Sequence, residues 1–335
     1  MRRVLSYKRG YYMARFGVFL IMVALITGMP GLHSVGGNNN AASQNLEIHT
    51  WYDLDAVRDN LDGNHTLMND LDSTTPGYVE LAGPTANEGK GWQSIGYSTP
   101  GGACGGVSAI YYGLTGIFDG QGHEIHDLFI NSPDTPSGLL GYLGEGGIVR
   151  NVGVVNVTVV GYNWVGSLVG LNEGGTIENC YSTGNVTGNA AVGGLVGRNA
   201  FGNINNSYFT GSVSGESSTG IGGLVGQQHA GGGTRNCYCS CSVAGGSEFG
   251  SGDIGGLVGE NSDGPVMSSF WDTETSGQAT SDGGTGKNTT EMKDITTFSD
   301  AGWNIIAVAL NETNPLYIWN IVNDATYPFL SWQFV

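Results

Sequence analysis

The hexapeptide VGGLVG at 192–197 decides the fold of this chain, because near copies of it recur on both sides. VGSLVG lies at 165–170, IGGLVG occurs at 221–226 and again at 254–259, and the shorter GLLG is a degenerate earlier copy. Repeats of roughly 30 residues predict a stack of units, each too small to bury its own apolar face. The final glycines of the five copies are 29, 27, 29 and 33 residues apart, at Gly141, Gly170, Gly197, Gly226 and Gly259.

Composition favours short strands over helices. The 59 glycines among 335 residues are about two and a half times the usual share of roughly 7 %, and a glycine inside a helix costs roughly 0.5–1 kcal/mol relative to alanine. The segments GTIENCYSTGNV (175–186) and GNINNSYFTGSV (202–213) are short β-type runs without helical periodicity. Three short strands and three turns in each unit fit one coil of a solenoid. We therefore predict an all-β fold, a right-handed parallel β-helix of about five coils.

Residues at equivalent positions of successive coils should lie over one another. One such position predicts an asparagine ladder at a bend, formed by Asn151, Asn179, Asn206 and Asn236. Two residues later, the sequence predicts a stack of aromatic side chains: Tyr181, Tyr208, Tyr238 and Phe270. We interpret this stack as core packing, and a platform on which sugars stack is the alternative. If the glycines do not turn them inward, the leucines of the hexapeptide copies are expected to form an exposed contact stripe: Leu168, Leu195, Leu224 and Leu257.

The N-terminus has the pattern of an export signal. Five basic residues precede an apolar run from Phe16 to Ile26, which is too short to span a bilayer and typical of a signal peptide. We predict a signal peptide at 1–36 and a secreted or cell-surface location, with a retained N-terminal membrane anchor as the alternative. Removing this segment leaves seven Lys and Arg against 29 Asp and Glu, a net charge of about −22. Such a surface argues against nucleic acid and anionic lipid as partners.

The motif GGLVG followed by GTIENCYSTGNVTG resembles the GLUG repeat, and the resemblance covers 137–275. The flanking segments TWYDLDAVRDNLDGNHTLMNDLD and SSFWDTETSGQATSDGG resemble those that border such repeats. The resemblance implies a secreted or cell-surface β-solenoid. It also points to IgA-type metallopeptidases, where the repeat lies outside the catalytic domain. The zinc motif H-E-x-x-H of such peptidases is absent from this sequence.

These patterns divide the mature chain into three parts. Residues 37–116 form an N-terminal cap with the first strands, 117–275 form the β-helix, and 276–335 form a C-terminal cap. We predict a short helix over 50–61, with Thr50 or Asp53 at its start, and a second over 290–298. Bulky side chains are expected to close the far end of the β-helix: Trp303, Trp319 and Trp332.

Catalytic groupings are sparse. In a strand, the HEIH at 123–126 places His123 with Ile125 on one face and Glu124 with His126 on the other, which favours a structural role over metal binding. A β-helix polysaccharide lyase or glycoside hydrolase is the alternative function. A hydrolase would need two carboxylates facing each other at roughly 5–9.5 Å, and the candidates are Asp119, Glu124 and Asp127.

The cysteines do not form an evident metal site. Cys180 and Cys237 occupy equivalent positions two coils apart, about 10 Å, which predicts that no disulfide joins them. Cys237, Cys239 and Cys241 alternate along one strand and should share a face, but no fourth zinc ligand is evident. We expect no cofactor and no metal.

These observations together favour a surface or structural module over an enzyme. The leading hypothesis is a non-catalytic, exported, adhesion-type β-solenoid. Its expected partner is an extracellular protein or glycan whose identity the sequence does not specify.

Overall fold

A computed structural model describes residues 45–99, 110–216, 219–229, 231–245 and 253–333. The predicted signal peptide and Cys104 lie outside these residues. The N-terminal part contains one helix and six strands: β1 (Leu46–Ile48), α1 (Trp51–Ala56), β2 (Asn64–Leu67), β3 (Tyr97–Thr99), β4 (Ile110–Tyr112), β5 (Ile117–His126) and β6 (Phe129–Asn131). Single turns of 3-10 helix at Val57–Asp59 and Ala86–Gly89 and of π-helix at Tyr78–Ala82 connect them.

The repeat region is a succession of strands. They are β7 (Leu140–Leu143), β8 (Ile148–Val160), β9 (Asn163–Val165), β10 (Val169–Glu173), β11 (Thr176–Glu178), β12 (Tyr181–Gly188), β13 (Ala190–Gly193), β14 (Val196–Ala200), β15 (Asn203–Asn205), β16 (Tyr208–Gly215), β17 (Ile221–Gly222), β18 (Val225–His229), β19 (Gly233–Arg235), β20 (Tyr238–Gly245), β21 (Ile254–Gly255), β22 (Val258–Ser262), β23 (Val266–Met267) and β24 (Phe270–Asp272).

The chain ends in mixed elements. These are α2 (Thr273–Ser276), β25 (Thr285–Lys287), a 3-10 turn at Glu291–Lys293, α3 (Ile295–Ser299), β26 (Ile305–Ala307), β27 (Trp319–Ile321) and β28 (Phe329–Leu330). None of the helices in the described part of the chain has the length and apolar character that crossing a bilayer requires.

Strands of successive coils pair in parallel, so the predicted β-solenoid of about five turns is confirmed. One sheet has the order β22-β18-β14-β10-β7, a second has β21-β17-β13-β9, and a third combines the short strands before the bend with the long strands after it. A full coil such as β10 to β13 therefore contains four strands. The expectation of three strands per coil was wrong, because the asparagine bend divides one long stretch into β11 and β12.

Register is in phase from coil to coil. Val169 of β10 pairs with Val196 of β14, which in turn pairs with Val225 of β18. Because side chains alternate along a strand, equivalent apolar residues meet inside the coil and build one continuous core. Each coil thus buries its apolar face only against its neighbours, which is the physical reason for the repetition.

The N-terminal helix covers the first coil much as predicted. It begins at Trp51, and Thr50 and Asp53 form a reciprocal capping box at its start. Leu54 of this helix and Val57 of the 3-10 turn that follows it are fully buried in the solenoid core.

The C-terminal residues divide into an end cover and a side cover. Residues 278–287 lie across the last coil, where the Asp282 amide donates to the Val258 carbonyl and β25 pairs with β24. Residues 291–333 pack instead against the outer side of the long strands, in a second apolar cluster separate from the solenoid core. The prediction that the tryptophans close the far end was therefore wrong in location: Trp303, Trp319 and Trp332 lie along the side of the solenoid.

Candidate functional site

The repeat glycines lie where neighbouring coils approach too closely for a side chain. A Cβ at Gly226 would lie 2.6 Å from the carbonyl carbon of Ala191 and 2.6 Å from the Gly197 carbonyl oxygen. Gly141 is less crowded, with its nearest neighbour at 3.1 Å. The final glycine of the hexapeptide is thus an architectural requirement, and backbone atoms approach to 2.4–2.7 Å in the same way at Gly170, Gly197 and Gly259.

The leucines do not form a contact stripe. All four side chains are fully buried in the solenoid core, so the predicted exposed stripe was wrong: Leu168, Leu195, Leu224 and Leu257. The reason lies in the corner between two strands. Strand β13 ends at Gly193 and β14 begins at Val196, so Gly194 and Leu195 form a corner that turns the leucine inward. A Cβ at Gly194 would lie 2.2 Å from the ring of Phe209, so this coil requires glycine here, whereas the preceding coil has Ser167 at the corner and Ser182 in place of the ring.

The asparagine column occupies a left-handed bend. All four residues have φ between 48° and 53°, a region that asparagine tolerates better than most residues: Asn151, Asn179, Asn206 and Asn236. Side-chain amides join Asn179 to Asn151 at 3.2 Å and Asn236 to Asn206 at 3.3 Å. Ser268 keeps the same backbone conformation in the last coil, with φ 48°.

A second polar column lies inside the solenoid and was missed by the sequence analysis. Asn172 and Asn199 are fully buried, and the Asn172 amide donates to the Asn199 Oδ1 at 2.8 Å. Each amide also donates to a carbonyl three residues later and so closes the bend after its strand. The signal was present in the sequence, since Asn or Gln stands two residues after the final glycine of the last four copies.

The aromatic column is confirmed as packing. The rings of Tyr181 and Tyr208 stack at 5.0 Å, and those of Tyr208 and Tyr238 at 4.8 Å. The C-terminal segment covers them, with Trp332 against Tyr181 and Trp319 against Tyr208. Because all three tyrosines are buried, this column offers no platform for a sugar.

The carboxylates considered for catalysis each have partners within the protein. Asp119 accepts from Arg150 at 2.9 Å, and Asp127 accepts from the Asn156 amide at 2.6 Å. Glu124 pairs with His126 at 3.0 Å and also accepts from the Tyr181 hydroxyl. The hydrogen bond with His126 lowers the pKa of Glu124 and raises that of His126.

The remaining histidine of HEIH is engaged as well. His123 Nδ1 lies 3.0 Å from the carboxylate of Asp70. As expected for a strand, Ile125 is buried in the core. Nothing in this segment resembles a metal centre, and the described residues contain no group of three or more His, Cys, Asp or Glu placed to hold an ion.

The cysteines are distributed between thiols and one disulfide. Cys180 and Cys237 are free and buried, as the coil spacing predicts, and burial raises the pKa of each thiol to about 12. Cys239 and Cys241 face the core from the same strand and are joined to each other. This bond removes two of the three thiolates that a C-x-C-x-C metal site would use.

Large aromatic side chains remain at the surface on another side of the solenoid. We call this feature the aromatic groove and define it by Tyr111, Tyr142, Tyr162, Trp164 and Arg198. Tyr111 from β4 stacks on Tyr142 from β7 at 5.3 Å and lies 6.2 Å from Trp164 of β9. Tyr162 has 55 % of its surface exposed. An open cavity of about 470 Å³ lies against Tyr111, Tyr162 and Trp164.

The repeat itself opens this groove. Trp164 stands at a left-handed corner of the coil formed by β7, β8 and β9, and the following coils have Ala191 and Gly220 at the aligned position. Because neither small residue continues the indole column, the ring is bordered by the Arg198 guanidinium at 5.5 Å and by the open cavity. The groove was not predicted, although the sequence carries a signal for it: a lone tryptophan at a corner where the next two coils have Ala191 and Gly220.

Comparisons with known proteins agree with the repeat and the fold. A family profile described as "The GLUG motif" matches residues 161–187 and 188–214. Halomucin of Haloquadratum walsbyi is 31 % identical over 163 residues, which are 47 % of this chain and 2 % of halomucin. A protein named "Putative Gly-rich membrane protein" of Evansella cellulosilytica is 36 % identical over 117 residues, 33 % of this chain and 12 % of that protein. The chain thus spans a small part of the length of these relatives.

The fold is shared with a solved structure. It is the "putative immunoglobulin A1 protease" from Bacteroides ovatus, which superposes with a TM-score of 0.58 at 21 % identity and covers 88 % of this chain and 94 % of its own. Such a likeness concerns architecture alone. Together with the two profile matches and the coil register, it identifies this chain as a β-solenoid that carries GLUG motifs.

Proposed function

We propose that this chain is a non-catalytic, exported surface module that mediates contacts with proteins or glycans. The observation that carries the proposal is the aromatic groove. Large rings left at the surface are typical of binding sites, since tyrosine and tryptophan contribute most of the energy at many interfaces. The repeat residues, by contrast, are used for architecture, because their apolar side chains lie in the core.

A surface location is supported by charge and by the relatives. The whole chain has a formal net charge of −17, which favours solubility and repels polyanions. The sequence relatives are halomucin and a protein whose name describes it as a Gly-rich membrane protein. These names support a location of this chain outside the cytoplasm.

A non-catalytic role is supported by the state of the carboxylates. Arg150 engages Asp119, His126 engages Glu124, and Asn156 engages Asp127. A general acid in a hydrolase commonly has a raised pKa, whereas the pKa of Glu124 is lowered.

The experiment is a binding assay run beside an activity assay. Purified chain 37–335 is incubated with bacterial and host cell surfaces and with immobilised polysaccharides, and bound protein is measured together with released reducing ends and unsaturated uronates. We expect saturable binding without product release. Product release that Asp119→Asn or Glu124→Gln abolishes would establish the polysaccharide-active enzyme instead, and the absence of binding to any surface would refute the contact role.

A further inference from the structure

Resting on the proposed function, we propose that the aromatic groove is a saccharide-binding site, and that its ligand is an uncharged oligosaccharide. The groove combines flat aromatic surface with hydrogen-bonding groups at its edge. This pairing fits a sugar ring, which has an apolar face of C–H groups and a rim of hydroxyls.

The aromatic surface extends over three elements that different parts of the chain contribute. Tyr111 comes from the hairpin of β3 and β4, Tyr142 from β7, and Trp164 from β9. Tyr142 is fixed in place because its hydroxyl donates to Glu173 at 2.8 Å. The volume of about 470 Å³ beside Trp164 falls within the range of roughly 300–1,000 Å³ typical of small-ligand sites. A second cavity of about 350 Å³ shares Tyr111 and extends along Tyr142, so the surface suits more than one sugar unit.

Arg198 supplies the second observation. Its guanidinium lies 5.5 Å from the centre of the Trp164 ring, and its Nε is buried without a hydrogen-bond partner among the described residues. A buried donor without a partner is costly, typically by about 1–3 kcal/mol. Because Nε is closed to solvent, it stays inside the wall, and Arg198, which is half-buried as a whole, can offer only its other guanidinium donors to a ligand hydroxyl beside the indole.

The rim favours an uncharged ligand over an acidic one. Gln227 lines the cavity and is aligned with Arg198, and its amide donates to the carboxylate of Glu260 at 2.6 Å. Asp62 and Glu145 line the second cavity and Glu173 accepts from the lining residue Tyr142, so carboxylates outnumber the single guanidinium of Arg198 here. Carboxylates accept hydrogen bonds from sugar hydroxyls but repel uronates and sialates, so neutral sugars are selected.

A cavity near the N-terminal helix residues is a weaker candidate. It measures about 740 Å³ and includes Arg58 and Trp92 in its wall. The guanidinium of Arg58 is already committed to Asp55 and to the carbonyls of Ser94 and Gln93. Trp92 is 1 % exposed, so it presents no surface for stacking.

The test is a glycan array followed by calorimetry with the best neutral oligosaccharide. The decisive variant is Trp164→Ala, because Ala191 occupies the aligned corner of the next coil with φ 51° and shows that alanine fits this backbone. Arg198→Met removes the donors while keeping an apolar stem against the indole. Phe201→Ala is the matched control, since Phe201 is a 62 % exposed aromatic residue at a left-handed position that lines none of these cavities. Thermal unfolding of each variant verifies that it is folded.

We expect the wild type to bind neutral oligosaccharides, Trp164→Ala and Arg198→Met to weaken binding at least about tenfold, and Phe201→Ala to leave it within about twofold. Binding confined to acidic glycans, or equal affinity of a folded Trp164→Ala variant, would overturn the assignment. If the chain binds cell surfaces but no neutral glycan, the saccharide site fails and the contact role stands. If it binds neither, both fail.

Discussion

Replacing the final glycine of one hexapeptide with alanine should destabilise the whole solenoid. In Gly226→Ala the new methyl group would lie 2.6 Å from backbone atoms of Ala191, Val192 and Gly197, whereas ordinary contact begins at 3.4 Å. The coils must therefore separate locally by about 0.8 Å. All three neighbours are backbone atoms held in parallel ladders, so no side chain can rotate away to make room.

The cost should lie at the upper end of the range for overpacking, about 3 kcal/mol against a typical 1–3 kcal/mol. For a domain of this size this corresponds to a fall in Tm of roughly 6 °C. Gly233→Ala is the matched control. Gly233 also lies in a strand, its Cβ would meet only the flexible amide of Asn203 at 3.2 Å and Pro265 at 3.8 Å, and the aligned residue in the preceding coil is Asn203.

The assay is thermal and urea unfolding of chain 37–335 with each substitution. We expect Gly233→Ala to match or exceed the wild type, because alanine reduces the entropy of the unfolded chain by about 0.4–1 kcal/mol. A Gly226→Ala variant that unfolds within 1 °C of the wild type would refute the close-approach argument. So would an equal loss in both variants, which would implicate glycine flexibility in place of coil spacing.

Three further outcomes are expected. Leu195→Ala should lower the free energy of unfolding by about 2–5 kcal/mol in urea titrations, since the side chain is fully buried; a loss below about 0.5 kcal/mol, usual for surface positions, would contradict its burial. In the Glu124–His126 pair the pKa of the carboxyl group is lowered, so its contribution to stability is lost as the pH falls below the pKa of Glu124 in the unfolded chain. The pKa of the His126 imidazole is raised, so its contribution is lost as the pH rises through the raised pKa. The difference in Tm between wild type and His126→Gln should therefore be greatest between about pH 4.5 and 6.5, and a difference that keeps growing above pH 8 would be inconsistent with the pair. Cys180 and Cys237 should resist alkylation in the native protein and react after denaturation without reductant, as peptide mass spectrometry would show; native labelling of either thiol would mean that the coil opens.

Much of the architecture was predictable because register in a solenoid follows from sequence periodicity. Matching the segments that follow the hexapeptide copies placed Asn179 over Asn151 and Tyr208 over Tyr181, and the hydrogen bond and the ring stacking agree with that alignment. The N-terminal cap was equally local, since a capping box depends on residues three apart such as Thr50 and Asp53. The spacing of the coils also correctly predicted that no disulfide joins Cys180 to Cys237.

The errors share a physical origin. The alternation of side chains along a strand does not specify which side chains point into the core at a bend. Leu195 was therefore assigned to a possible surface, although the corner directs it into the core. Sequence order could not show that the C-terminal segment folds back along the side of the coils. As a result, Trp332 covers Tyr181 instead of closing an end.

The repeat, the β class and the vertical register could be read from the sequence alone, because each depends on residues that are close together or one period apart. Only the tertiary structure decided which apolar residues reach solvent and which distant elements meet. The aromatic groove shows the difference. Tyr111 and Trp164 are 53 residues apart in the chain, and their rings approach to 6.2 Å because a hairpin outside the repeat lies against a corner of the coil formed by β7, β8 and β9, a contact that no periodicity encodes.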